Sequence, residues 1–350
     1  MPKKAENPRS ILLCRFSALG DVAMTVPVVY SACAANPDCD FYYVTRPVAA
    51  GFMLQPPKNL HIIPVDTSLY KGVAGLRRLA KELIQKYRPD VFADMHYVLR
   101  TRILGAWFRL AGIPVVHLRK GRRSRNALTR TRNKVMMPLT SMRARYREVL
   151  FRAGLAYSDS FAGFWKNDAP DPSLYAKVAA PKLPGEKWIG IAPFAMHRGK
   201  IYPPELMQQV VDALAARNGY RLFIFGAGKE ESNTIGRWAL SHDNVVNMAD
   251  LRIGFHAELA LMHQCDAVIS MDSANMHLAS LVGTRVVSVW GATHPFGGFM
   301  GWKQSKQDVV SLDMVCRPCS VFGNKPCKRG DFHCMYGISP SMIINRLDNP

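Results

Sequence analysis

The feature that most constrains this chain is an alternation of short apolar runs with helical patterns, repeated in two series. In the first series, residues 11–16, 41–44, 61–65, 91–95 and 115–118 read as strands, and residues 22–35, 73–87 and 99–110 as helices. The second series begins near Lys187. Residues 188–192, 220–225, 245–247, 267–270 and 286–290 read as strands, and residues 204–217, 230–240, 257–263 and 274–282 as helices, with Pro203 and Pro204 opening the first of these. Strands that alternate with helices build parallel βαβ units. The series are separated by a proline-rich stretch, Asp168-Ala169-Pro170-Asp171-Pro172 through Pro181-Lys182-Leu183-Pro184-Gly185. With 350 residues, two domains are expected. The sequence places one over 1–170 and the other over 171–337. A final helix near 339–347, within 338–350, is expected to pack back on the first. The expected class is α/β, two doubly wound Rossmann-like domains facing a cleft. In such sheets ligands sit beyond the C-terminal strand ends, often at helix N-termini.

Charge narrows the partners. The formal net charge is +20, which asks for an anionic partner: nucleic acid, an anionic membrane face or a phosphorylated glycolipid. No apolar run reaches the roughly 18–20 residues of a membrane-spanning helix. Lys3, Lys4 and Arg9 ahead of residues 11–14 imitate a signal peptide, but Arg15 and Asp21 interrupt the apolar stretch. A cytoplasmic protein is expected, with charge enough to hold it to the inner face of the membrane. The eight cysteines do not read as a secreted disulfide framework in so long a chain.

Three segments follow strand ends. In Arg15-Phe16-Ser17-Ala18-Leu19-Gly20-Asp21, a strand runs through a Gly turn to an aspartate at a helix entrance. On composition alone an N-cap is the preferred reading of Asp21, and the segment is neither a dinucleotide fingerprint nor a P-loop. In Ser270-Met271-Asp272-Ser273-Ala274-Asn275-Met276-His277, Ser273 stands where it can cap a helix whose first N–H groups suit a diphosphate. Asp272 suits a ribose or sugar hydroxyl. A plain strand-to-helix cap with His277 as a satisfied polar residue explains the spacing equally well. In Ala192-Pro193-Phe194-Ala195-Met196-His197-Arg198-Gly199-Lys200, Arg198 or Lys200 offers charge to a departing phosphate, against the alternative of solvated loop charge. None of the three carries the Asp-x-Asp pattern of metal-dependent transferases.

Together and in this order, the segments resemble glycosyltransferase family 9, the ADP-heptose:lipopolysaccharide heptosyltransferases. Residues 286–295, Val-Val-Ser-Val-Trp-Gly-Ala-Thr-His-Pro, resemble the segment that follows in that family. The resemblance implies a GT-B fold and an inverting, metal-independent transfer of heptose from ADP-heptose to the lipopolysaccharide inner core. It implies Asp21 as general base. It implies a donor site of Arg198, Lys200, Asp272, Ser273, Asn275, Met276 and His277, with Gly226 at the strand end before Ala227-Gly228. Ser17, Gly20, His96, Arg100, Arg122 and Arg123 are expected on the acceptor side. The run Arg119-Lys120-Gly121-Arg122-Arg123-Ser124-Arg125, with Arg130, Arg132 and Lys134, is expected in the first domain, facing an anionic lipid A–Kdo type acceptor; a solvated basic loop is the alternative. The chain departs from the family at Ala274-Asn275, where Gly-Pro is common, and at His294, where Asp is common. Its loop is Pro193-Phe194-Ala195-Met196 rather than Pro-Gly-Ala. A GT-B transferase with another nucleotide-sugar is therefore the second reading. A nucleic-acid-binding protein is the third, although no RRM, KH or helix-turn-helix signature is present.

One constellation lies outside this scheme. Cys316-x2-Cys319-x7-Cys327-x6-Cys334 offers four thiols, the first pair at zinc-knuckle spacing and the second wider. Structural zinc is compatible with it, and free buried cysteines are the preferred reading. No metal is expected in catalysis.

Overall fold

The computed structural model describes residues 8–166 and 168–349; Lys3 and Lys4 lie outside them. Two units emerge. One comprises residues up to 120 together with 140–162, and the other comprises 121–139 together with 163 onward.

The first unit holds a parallel sheet of β1 (Ser10–Cys14), β2 (Asp40–Thr45), β3 (Leu60–Pro64), β4 (Val91–Asp94) and β5 (Val115–His117), in the order β3-β2-β1-β4-β5. Central β1 has no polar alternation. Ile11, Leu12, Leu13 and Cys14 are wholly buried, as a strand covered on both faces requires. Each buried aliphatic side chain contributes about 1.5–3 kcal/mol. Helix Gly72–Tyr87 turns Leu76, Leu79, Ala80 and Leu83 to the core and ends at Arg88, in the left-handed region. The expected helix 22–35 is two: Leu19–Ala23 and Val26–Ala35. Pro27 has no N–H and its ring crowds the carbonyl four residues back, so a continuous helix breaks ahead of it. Thr25 fills the joint, with its hydroxyl 2.7 Å from both the Val22 carbonyl and the Tyr43 hydroxyl.

The second unit holds six parallel strands: β6 (Lys187–Ala192), β7 (Tyr220–Ile224), β8 (Val245–Asn247), β9 (Ala267–Met271), β10 (Val286–Val289) and β11 (Val309–Val310). Their order is β11-β10-β9-β6-β7-β8. In both sheets the chain starts at the centre, winds one way, then returns to the centre and winds the other. The switch points lie between β1 and β4 and between β6 and β9, and crevices at such points bind ligands.

Three expectations of organisation are corrected. The first unit ends at 162 rather than 170, and the proline-rich stretch belongs to the second: Tyr175 packs edge-on to Trp188 and Lys182 pairs with Asp266 at 2.6 Å. Residues 121–139, with Arg122 and Arg123 on helix Arg122–Thr129, also belong to the second unit rather than the first. The terminal helix, Pro340–Asp348, does not return to the first unit. It buries Ile343 and Leu347 in the second core. Arg285 holds its last turn through the Arg346 and Leu347 carbonyls, and Arg217 grips Asp348 at 2.7 and 2.9 Å. Among the described residues no helix is long and apolar enough to cross a membrane.

Candidate functional site

In the first unit the site grows from the C-terminal end of β1. Arg15 leaves the strand buried, at 4% exposure. Its guanidinium donates to the Met95 carbonyl at 2.5 Å, pairs with Asp21 at 2.8 Å and lies over the Tyr146 ring, 5.5 Å from its centroid. Asp21 is not an N-cap. It sits inside the first turn of Leu19–Ala23, whose cap position is Ala18. Its side chain remains about one-fifth exposed while Arg15 takes Oδ2, so the carboxylate is both oriented and reachable. Arg15 had no assigned role in the sequence reading. Arg15→Met leaves Asp21 without its partner. Breaking a buried pair costs about 3–5 kcal/mol, and the partial exposure of Asp21 puts the expected loss at the lower end of that range, read as a shifted urea midpoint.

His96 follows β4, its Nε2 3.5 Å from the Ser17 hydroxyl. Burial, then the charge of Arg15, pushes its pKa down to about 3. Asp94, at 2% exposure, accepts the His96 and Tyr97 N–H groups and ties the turn. Gly20 is half-buried and Arg100 exposed. An Asp-x-Asp sequence does occur in the chain, at Asp38-Cys39-Asp40. It lies at the N-terminal end of β2, the opposite sheet edge from Asp21, with Asp40 beside His61.

In the second unit, Lys200 and Asp272 come together from the ends of adjacent strands, β6 and β9. Lys200 Nζ lies 2.9 Å from Asp272 Oδ2, and the Thr293 hydroxyl donates to the same oxygen at 2.8 Å. Gly199 makes this approach possible. A Cβ there would stand 2.8 Å from the Ala292 Cβ and 2.9 Å from the Gly323 carbonyl oxygen. Thr293 and Arg317 were missed in the sequence reading. Arg317 is buried and donates to the carbonyls of Trp290, Gly291, Leu312 and Thr293, clamping the turn that carries Thr293. A lone arginine between two cysteines gives no sequence signal for such a clamp.

Other expectations divide. Ser273 occupies the N-cap position of Ala274–Leu281 without a side-chain cap bond, its hydroxyl 3.4 Å from that of Ser270. Asn275 is half-buried. Met276 is wholly buried and His277 5% exposed, so Met276 is a core residue and not a lining one. Arg198 is exposed and stacks on Phe332, 5.0 Å from the ring centroid. Gly226 is explained by packing. A Cβ would fall 2.8 Å from Ile235, where Glu231 accepts the Ala227 N–H at 2.7 Å. Arg122 and Arg123 are exposed.

His294, half-buried, accepts the Phe296 N–H, and burial, then Arg317, pushes its pKa down to about 4. In the unfolded chain both His96 and His294 take a proton as pH falls through the ordinary 6.5, while in the folded one they do so only near 3 and 4. The unfolded state therefore binds more protons in that window, and stability falls as pH drops from about 6.5 to 4. The urea midpoint of the native protein should decline across this range. In a His96→Gln, His294→Gln variant the decline should be shallower, and an equal slope would remove these rings from the account.

The profile of Glycosyltransferase family 9 (heptosyltransferase) matches residues 76–328. The lipooligosaccharide heptosyltransferase 2 of Campylobacter jejuni is 21% identical over 335 residues, 95% of each chain. A glycosyl transferase family 9 structure from Veillonella parvula superposes with a TM-score of 0.72 at 19% identity, covering 97% of this chain and 96% of that one. The structure of E. coli ADP-heptose lps heptosyltransferase II does so with a TM-score of 0.69 at 18% identity, covering 97% of each. Likeness over nearly the full length carries both Rossmann-like units, and with them the expected GT-B fold.

Proposed function

We infer the reaction from one premise: this chain belongs to glycosyltransferase family 9, the heptosyltransferases. We propose that it moves heptose from ADP-heptose onto the lipopolysaccharide inner core. The observation that carries this reading is placement. Asp21 follows β1, and the Lys200–Asp272 pair follows β6 and β9. Each group thus stands at the switch point of its own sheet, where doubly wound folds bind ligands.

In this reading Asp21 takes the proton of the acceptor hydroxyl as that oxygen attacks the anomeric carbon, with inversion and without a metal ion. Arg15 keeps the carboxylate aimed. The departing diphosphate draws Lys200 from Asp272 and accepts hydrogen bonds from the N–H groups that open the Ala274–Leu281 helix. Ser273 and Asn275 stay beside it, while Met276 and His277 support the helix from the core. Ser17, Gly20, His96 and Arg100 serve the acceptor. Arg122 and Arg123, exposed on the second unit, are left for anionic groups of the glycolipid or of the inner membrane face.

The test is transfer itself. Purified protein, a Kdo–lipid A type acceptor and a panel of nucleotide-sugars are read by mass spectrometry. A mass gain of one heptose with ADP-heptose is expected. Transfer from a different nucleotide-sugar alone would favour the second reading, to which Ala274-Asn275 and His294 point as departures in the donor segments.

A further inference from the structure

The four cysteines of the 316–334 segment are not core thiols. Cys14, Cys33, Cys39 and Cys265 are all buried, whereas Cys316 is exposed, Cys319 and Cys327 are half-buried and only Cys334 is buried. Packing therefore explains one of the four. All four line a single cavity of about 310 Å³ in the second unit, and none is in a disulfide.

The segment is held as a ligand-bearing loop is held. Lys134 Nζ donates to the carbonyls of Val315, Cys316 and Pro318 at 3.1, 2.8 and 3.1 Å, wrapping the Cys316–Cys319 knuckle. The Arg317 clamp fastens the same knuckle from beneath, and the Cys319 N–H donates to the Ala292 carbonyl at 3.1 Å. Arg130, Arg317, Lys325, Lys328 and Arg329 line the same cavity. Four thiolates around a divalent ion carry a net charge of −2, and these cations offset it.

We propose that Cys316, Cys319, Cys327 and Cys334 bind one thiophilic divalent transition-metal ion of the zinc or iron(II) type. Binding releases four thiol protons to solvent and forms four metal–sulfur bonds with no change of oxidation state. Among the described residues no three His, Cys, Asp or Glu side chains are grouped closely enough to hold an ion as they stand. The thiols accordingly turn inward across the cavity on binding, while the knuckle backbone stays pinned. The ion staples this segment to the turn that carries Thr293, and so supports the Lys200–Asp272 pair from behind.

The experiment uses the full chain and does not depend on transfer. Reduced, metal-free protein is titrated with cobalt(II), then loaded separately with zinc and with iron(II) under anaerobic conditions. The expected result is one equivalent bound, a thiolate-to-cobalt charge-transfer absorption, and protection of these four thiols from alkylation. Metal analysis of the protein as purified identifies the native ion. Cys316→Ser and Cys327→Ser, at sites that are not core, should each weaken binding at least about tenfold, and Lys134→Met by about 10–100-fold as an outer-shell change. Cys33→Ser should bind as the unaltered chain does. The proposal is overturned if no cobalt–thiolate band appears and neither zinc nor iron(II) is retained, or if the band survives in the Cys316→Ser, Cys327→Ser double variant.

Discussion

Asp21→Asn is expected to lower the rate of sugar transfer by about 10²–10⁴-fold, the usual contribution of a general base, while donor affinity stays near its starting value. Asparagine keeps the shape and still offers Arg15 a carbonyl oxygen, but it cannot take the acceptor proton. Arg15 loses its counter-charge at 2.8 Å and retains the Met95 carbonyl and the Tyr146 face. Some stability is therefore lost together with activity. Urea unfolding of the same sample separates the two effects: a folded variant that binds ADP and does not transfer is the expected result. Near-normal turnover in the folded variant would remove Asp21 from the chemistry and leave it as the partner that keeps Arg15 neutralised.

Lys200→Met is expected to lower kcat/KM by about 10²–10³-fold, the range seen when one preorganised charge-stabilising donor is removed. This residue has two roles to separate. Its amino group lies 2.9 Å from Asp272, and both side chains are largely shielded, at 16% and 5% exposure. Breaking such a pair from one side leaves a buried carboxylate that keeps the Thr293 hydroxyl but no counter-charge from Lys200 and costs about 3–5 kcal/mol. Part of any lost activity would then be lost fold. The double variant Lys200→Met, Asp272→Asn removes both charges and should regain most of the stability. Transfer should remain low, because the amino group that stands beside position 272 to meet the leaving diphosphate is gone. If turnover returns along with stability, the pair is a structural strut and the leaving group is stabilised elsewhere.

The positions expected from the sequence match the fold unevenly, and the pattern is physical. The places of Asp21, Lys200 and Asp272 beyond strand ends were legible because each follows an apolar run that ends in a turn. Ser273 was placed correctly at the helix entrance, yet its hydroxyl turns toward Ser270 instead of capping. Met276 carried a motif letter but is wholly buried, since on a short helix covered by its own sheet most positions face the core. Thr293 and Arg317 had no signal, because hydroxyl–carboxylate and guanidinium–carbonyl contacts between distant segments leave no local period. Helix Met142–Arg152 was not anticipated either. Met142, Arg145, Tyr146, Val149 and Leu150 are buried at helical spacing, but the arginines set among them break up the apolar stripe.

Local order was the part written along the chain. Continuous apolar runs read as strands covered on both faces, their alternation with helices as parallel winding, and Pro203 and Pro204 as a helix start, whereas the break ahead of Pro27 was not read. Those are short-range constraints of sterics and burial. Which segment joins which core was decided in three dimensions: residues 121–139 and Pro340–Asp348 both went to the second unit, against expectation. So were the partners of the buried charges, Arg15 with Asp21, Lys200 with Asp272 and Arg317 with four carbonyls. A charge taken out of water must find a counter-charge or dipoles within hydrogen-bond reach, and only the folded chain determines which ones those are.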